Sequence, residues 1–251
     1  LINVNNPWGG GVMYREGLIT PLPRAEFEPF FELMLPEFHP PYKWAMSADG
    51  NELLGIAQRF GPYSFVVNTD AVSRATAEDV GWDLFNDPAN AGKYGILESD
   101  DWNVFNIFVV AGIDPFKEHS ADELARFDET ARKVFGGAKL VGDIATMNQA
   151  LISGEIGFHM TGGTYSASPA RADGNPNIRG ITPLRGPMDG KGGIAWIEIT
   201  STVANPQLSP LAQEFLKYVQ DPEVAHVVAF AEGTFNPVTQ MGDPRCFERF
   251  T

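Results

Sequence analysis

Short apolar runs of strand length alternate with capped helical segments along most of this chain, and that alternation limits its possible folds more than any other feature. Strand patterns fall at residues 1–4, 56–60, 63–68, 95–97, 156–160, 178–183 and 194–203. A helical turn at 12–16 stops at Gly17, a good C-terminal glycine, and a helix is expected near 26–35. Further helices are predicted at 82–85, at 104–111, and from Asp122 as N-cap, where Leu124, Phe127, Ala131 and Val134 keep helical spacing. The last helices read as 145–153, 211–219 and 223–231, the final two opened by Pro210 and Pro222. Strands that alternate with helices in this way predict an α/β sheet fold. No internal repeat or low-complexity linker divides the chain, so two lobes, if formed, must interleave.

A chain of 251 residues can bury one large core or two medium ones. With 43% hydrophobic and 20% charged residues the composition is that of a globular protein. The longest apolar candidate, 104–113, is shorter than the ~18 residues a membrane span needs, so no membrane insertion is expected. The net charge is −14, and the 18 Lys and Arg are scattered, which excludes a phosphate-tracking nucleic-acid surface. A single cysteine, Cys246, excludes an internal disulfide framework and any cysteine-based zinc cluster. The opening Leu1-Ile2-Asn3-Val4 reads as a strand and not as an export signal, so residues are expected in front of it.

Several motifs invite chemistry and fail on spacing. Gly9-Gly10-Gly11 beside a helical turn suggests an anion cradle, but no Lys-Ser/Thr follows and Tyr14 breaks the dinucleotide-binding pattern. The run is expected to be a flexible loop that lets the backbone approach a ligand, with Trp8 as the contact. Thr161-Gly162-Gly163-Thr164 meets the same objection. His39, His119, His159 and His226 show no metal-ligand pairing, no Gly-x-Ser-x-Gly elbow is present, and no cofactor is expected. Asp100-Asp101 lies on an expected acidic turn; a hydrolase built on Asp100 and Glu198 stays open as one alternative.

The segment Gly192-Gly193-Ile194-Ala195-Trp196-Ile197-Glu198-Ile199 is the most informative. In a strand, Trp196 and Glu198 share one face, and Ile197 and Ile199 share the other. A carboxylate beside an indole suits an ammonium group, whose charge pairs while its alkyl part lies on the ring.

The order of motifs resembles the extracellular solute-binding proteins of ABC importers, of the spermidine/putrescine type. The segments that carry the resemblance are 11–19, 65–72, 82–85, 150–157, the Gly-Gly-Ile-Ala-Trp strand at 192–196, and 220–225. The resemblance implies a two-lobed α/β fold of the periplasmic-binding type with a hinge, without catalysis or cofactor, and docking onto permease subunits. It implies lobe 1 over 1–62, lobe 2 over 63–183, a return to lobe 1 over 184–235, and a crossing back over 236–251. A strand–helix–strand unit found at the start of such proteins is expected to be missing.

The same resemblance implies a set of ligand contacts in an interlobe cleft. Trp196 and Glu198 match an aromatic and an acidic amine contact, Asp100 matches an acid that grips a second amine, and Trp8 and Asn6 line the cleft. Trp8 and Trp196 are expected to sandwich an alkyl stem. Thr234 joins the set. Asn103 stands where polyamine binders carry a second acid, Met160 where they carry a tryptophan, and Arg59 adds a cation able to meet a carboxylate. These departures point to a small amine, polyamine-like or amino-acid-like, taken up by a monomeric protein that is periplasmic, or extracellular and tethered in a single-membrane organism. An organic anion or phosphonate held by Arg59 and the glycine run is the competing ligand class.

Overall fold

The computed structural model describes residues 1–38 and 44–236; His39, Cys246 and the expected final crossing after Asn236 lie outside them. The chain begins with β1 (Ile2–Asn5), α1 (Asn6–Trp8), a wide helical turn over Gly9–Met13, β2 (Ile19–Thr20) and α2 (Arg24–Phe31). It continues through β3 (Ile56–Tyr63), β4 (Phe65–Asn68), α3 (Arg74–Val80), the tight turn Gly81–Phe85, β5 (Tyr94–Leu97), α4 (Asp100–Val110) and α5 (Ala121–Gly137). Then come β6 (Leu140–Gly142), α6 (Ile144–Ile152), β7 (Phe158–Met160), α7 (Thr164–Ala172) and β8 (Ile178–Ile181). The last elements are β9 (Ile194–Val203), α8 (Leu211–Tyr218) and α9 (Pro222–Glu232). The architecture is mixed α/β with two sheets. No helix among the described residues is long and apolar enough to cross a membrane.

Two compact units divide the chain: Leu1–Gly61 with Ala195–Thr251, and Pro62–Ile194. The sequence places the return to the first unit at residue 184, whereas residues 184–194 stay with the second. The reason is local bonding. Trp82 Nε1 donates to the Gly192 carbonyl at 2.6 Å, and the Leu184 amide donates to the Glu78 carbonyl at 3.0 Å.

In unit 1, β9 is the central strand. It pairs antiparallel with β1 (Ile2 opposite Ser201, Asn5 opposite Glu198) and with β2 (Ile19 opposite Val203), and β3 also pairs with it. Ile197 and Ile199 point into a core with Phe27, Phe31, Leu53 and Ile56. α9 starts at an Asp221 cap whose carboxylate accepts from the Glu223 and Val224 amides, with Pro222 at the first helical position, and ends at Gly233 in the left-handed conformation (φ 66°).

In unit 2 the strand order is β6-β5-β7-β4-β8; β5 runs parallel to β6 and β7, and β4 is antiparallel to β7 and β8. One apolar cluster gathers Val66, Leu97, Met147, Leu151, Ile156 and Ile178. A second group is aromatic: Phe85 meets Tyr94 and Phe158 edge-on at 5.3 and 5.2 Å, and Tyr94 stacks on Phe158 at 5.6 Å. α5 is opened by a capping box from Ser120 and Glu123, so Asp122 sits in the first turn and is not the cap the sequence suggested. Three labelled elements of unit 2 were not anticipated. α3 and α7 lack an apolar stripe, with Pro169 inside α7, and β6 spans three residues.

His159, at the centre of β7, is fully buried. Burial lowers its pKa to about 4, and main-chain bonds to Met160 and Thr161 oppose that shift only in part. The unfolded ring takes up a proton near its ordinary 6.5 and the folded ring near 4, so folding stability is lost as pH falls through that window. Urea unfolding followed by tryptophan fluorescence should show about 3 kcal/mol less stability at pH 4 than at pH 7 from this group. His159→Gln should flatten that dependence.

Candidate functional site

In unit 1 the candidate residues gather around the first half of β9. Strand alternation that sends Ile197 and Ile199 into the core leaves Trp196 and Glu198 together on the opposite face. Asn5, the last residue of β1, lies opposite Glu198, so Asn6 and Trp8 follow directly from the strand end beside that carboxylate. Trp8 is 53% exposed. Trp196 is buried at 7% exposure, and the Gly61 backbone lies against its indole: a Cβ there would come within 3.1 Å of Trp196 Cζ2 and Nε1. Trp196 therefore offers a solute little of its ring, in contrast to the expected sandwich with Trp8. Thr234 is buried just past the Gly233 cap.

The glycine run at 9–11, expected to be a flexible loop, is helical, and so is Asn6–Trp8 before it. Pro7 presets the first turn of α1, and the Tyr14 amide then reaches back five residues to the Gly9 carbonyl at 2.9 Å. Gly9 is a packing glycine, since a Cβ there would meet Ile199 Cδ1 at 2.6 Å, whereas Gly11 faces open space. The glycine run thus serves close approach of this turn to β9 and forms no loose cradle.

Arg59, on β3, meets carboxylates of the protein itself. Its Nε donates to Glu198 Oε2, and its Nη1 lies 3.4 Å from Glu232 Oε2 at the end of α9. Burial would lower the guanidinium pKa, but the hydrogen bond and charge of Glu198, joined by Glu232, raise it overall. The side chains are 31%, 16% and 35% exposed for Arg59, Glu198 and Glu232. Glu232 was not singled out in the sequence; its signal was only its place one residue before the helix-ending Gly233.

In unit 2, Asp100 and Asp101 do not lie on a turn: α4 begins at Asp100, directly after an extended Ser99, so both carboxylates sit in its first turn. There they complement the helix dipole, and Asp100 remains exposed. Asn103 and Met160 are interior, contrary to their expected place in the ligand set. Asn103 Nδ2 donates to the Leu97 carbonyl at 3.0 Å, and its Oδ1 accepts from the Thr161 hydroxyl. Met160 is fully enclosed on β7. Thr161 also accepts from Asn106 Nδ2 at 2.7 Å, and these bonds hold it at φ 67°, a conformation that costs a β-branched residue about 1–3 kcal/mol.

Nearby stands an aromatic group that the sequence did not reveal. Tyr63 stacks on Trp102 at 4.0 Å, and its hydroxyl lies 3.4 Å from Ser99 Oγ and 3.5 Å from the Tyr165 hydroxyl. Burial raises the Tyr63 pKa, so the phenol stays protonated. A recess of about 370 Å³ is lined by Glu98, Ser99, Asp143 and Tyr165, with Leu97, Ile144 and Ala145. It lies at the carboxyl ends of the parallel strands β5 and β6, where open α/β sheets bind ligands.

No protein-family profile and no curated protein matches the chain. Solved structures do. The chain has the fold of periplasmic substrate-binding proteins of ABC transporters. Its structural neighbours include the spermidine/putrescine ABC transporter substrate-binding protein PotD of Streptococcus pneumoniae, with a TM-score of 0.70 and 18% identity over 95% of this chain and 67% of that one. The Tp0655 (TpPotD) lipoprotein of Treponema pallidum gives 0.70 and 13% over 99% of this chain and 76% of that one. The GacH receptor of Streptomyces glaucescens, solved unliganded and with acarbose, gives 0.69 and 14% over 98% and 67%. The chain spans 67% to 76% of the length of these three proteins.

The contrast between Asn103 and Asp100 is measurable without any ligand. Asn103→Leu removes the acceptor of the Thr161 hydroxyl proton and the side-chain donor to the Leu97 carbonyl, and should cost about 1–3 kcal/mol in urea unfolding. Asp100→Asn, at an exposed first-turn position, should change stability by less than about 1 kcal/mol.

Proposed function

We propose that this protein is the substrate-binding component of an ABC importer and that it captures a small amine. The reading rests on one observation above others: in unit 1 a half-shielded carboxylate, Glu198, shares a strand face with Trp196 and lies beside the strand end that leads to the exposed Trp8. A carboxylate that shares a strand face with an indole is chemistry for an ammonium on an alkyl stem. The fold shared with PotD proteins supports the transport role, and those neighbours are transport proteins and not enzymes. Fold alone does not choose a ligand, since the GacH neighbour was solved with acarbose.

On this reading Glu198, Trp8 and Asn6, with the edge of Trp196, are the unit 1 contacts for the ammonium, and Asp100 is a proposed contact in unit 2 for a polar group of the same solute. The partners are the permease subunits of the importer, and the protein works in the periplasm, or tethered outside a single-membrane cell. The competing anion reading places its ligand on Arg59. That guanidinium is already committed to Glu198 and Glu232, so an anion would have to displace two carboxylates, which favours the amine.

Isothermal titration with butylamine, putrescine, spermidine, a set of amino acids, maltose and phosphate tests the reading. An amine should bind with micromolar affinity, about −8 kcal/mol. Glu198→Gln should weaken that binding at least ~tenfold while leaving any phosphate binding unchanged or improved. Binding of maltose or phosphate with no heat from any amine would overturn it.

A further inference from the structure

The charges around Arg59 narrow the class of amine, and this inference rests on the amine reading above. One guanidinium stands against two carboxylates, its Nε on Glu198 and its Nη1 3.4 Å from Glu232. The group carries one net negative charge. All three side chains are partly withdrawn from water, Glu198 most of all at 16%, so the imbalance is screened less than it would be on an open surface. A single ammonium added here closes the balance. A second brings an unpaired positive charge close to a guanidinium that is itself already held.

Glu198 is also not waiting for a ligand. Arg59 occupies it, so an incoming ammonium competes with an internal cation for the same oxygen atoms. Glu232 gives the displaced guanidinium somewhere to stay. It is the last residue of α9, where a carboxylate opposes the helix dipole and gains from a nearby cation. Arg59 can therefore swing its weight from one carboxylate to the other without entering the site unpaired.

We propose that Arg59 is an internal counter-ion that limits unit 1 to one ammonium, so that the solute is a monocationic amine and not a diamine. Arg59 then sets specificity by occupying the acid that a second solute charge would need. The two carboxylates have unequal roles: Glu198 takes the solute, and Glu232 parks the arginine.

Titration of the full chain with n-butylamine and putrescine, which share a carbon stem and differ by one ammonium, tests this directly. The unmodified protein should prefer butylamine by roughly fivefold to tenfold. Arg59→Met frees a carboxylate and should raise putrescine affinity by a similar factor, cancelling or reversing the preference, while Arg59→Lys should keep it. Glu232→Gln leaves Arg59 only Glu198 to pair with and should weaken both amines severalfold; lying at a partly exposed helix end, it serves if Arg59→Met fails to fold by circular dichroism. Putrescine bound as tightly as butylamine by the unmodified protein overturns the proposal and leaves the amine reading standing. So does an unchanged ratio in Arg59→Met, or an unchanged affinity for both amines in Glu232→Gln. Silence from both amines in every variant, with maltose or phosphate binding, takes down both.

Discussion

Unit 1 depends on the pairing register of β9. Side chains along a strand alternate faces, so a slip of one residue would turn Glu198 toward Phe27, Phe31 and Ile56 and expose Ile197 and Ile199. Burying that carboxylate among apolar rings would be prohibitive, which makes the register self-enforcing. Every other part of the candidate site hangs from it. β1 pairs with β9 and so delivers Asn6 and Trp8, β3 pairs with it and delivers Arg59, and Gly9 has no side chain because Ile199 fills that space.

Unit 2 is organised on a different principle. Its interior holds a chain of polar side chains, Asn103 to Thr161 to Asn106, in place of the solute contacts that the sequence suggested. A buried amide that satisfies both a strand-end carbonyl and a strained threonine is part of the scaffold, and it fixes where the first turn of α4 begins. The acids on that turn, Asp100 and Asp101, are left exposed on a rigid element instead of a flexible one.

Much of the fold was legible because its signals are local. β9 matches the residues 194–203 predicted from the glycines and the alternation, and β4, α6, α8 and α9 lie within a residue or two of expectation, or inside the predicted span. The misses share a physical cause. α7 carries serines and an internal proline and is set by packing on β8 and α6, which no periodicity announces. The glycine run at 9–11 looks like a loop in isolation and becomes helical because Pro7 nucleates the turn and the turn packs closely on Ile199 of β9 at position 9. At the site, the residue types that suit an amine could be read from the strand pattern. The ion pairs could not, since Arg59 and Glu232 are 173 positions apart and only the fold brings them together.

The two outer strands of the unit 2 sheet carry a further meaning. β6 is three residues long, and β8 spans four and bears Arg179, a half-exposed guanidinium whose pKa is lowered by burial and by the neighbouring Arg74. A sheet boundary invites a strand from another molecule in proportion to its length and flatness and to how little charge it carries. Neither boundary here offers much of a template. Both rims of the larger sheet are blunted in this way, one by its shortness and one by its charge, so the described sheet discourages edge-to-edge pairing between copies of the chain.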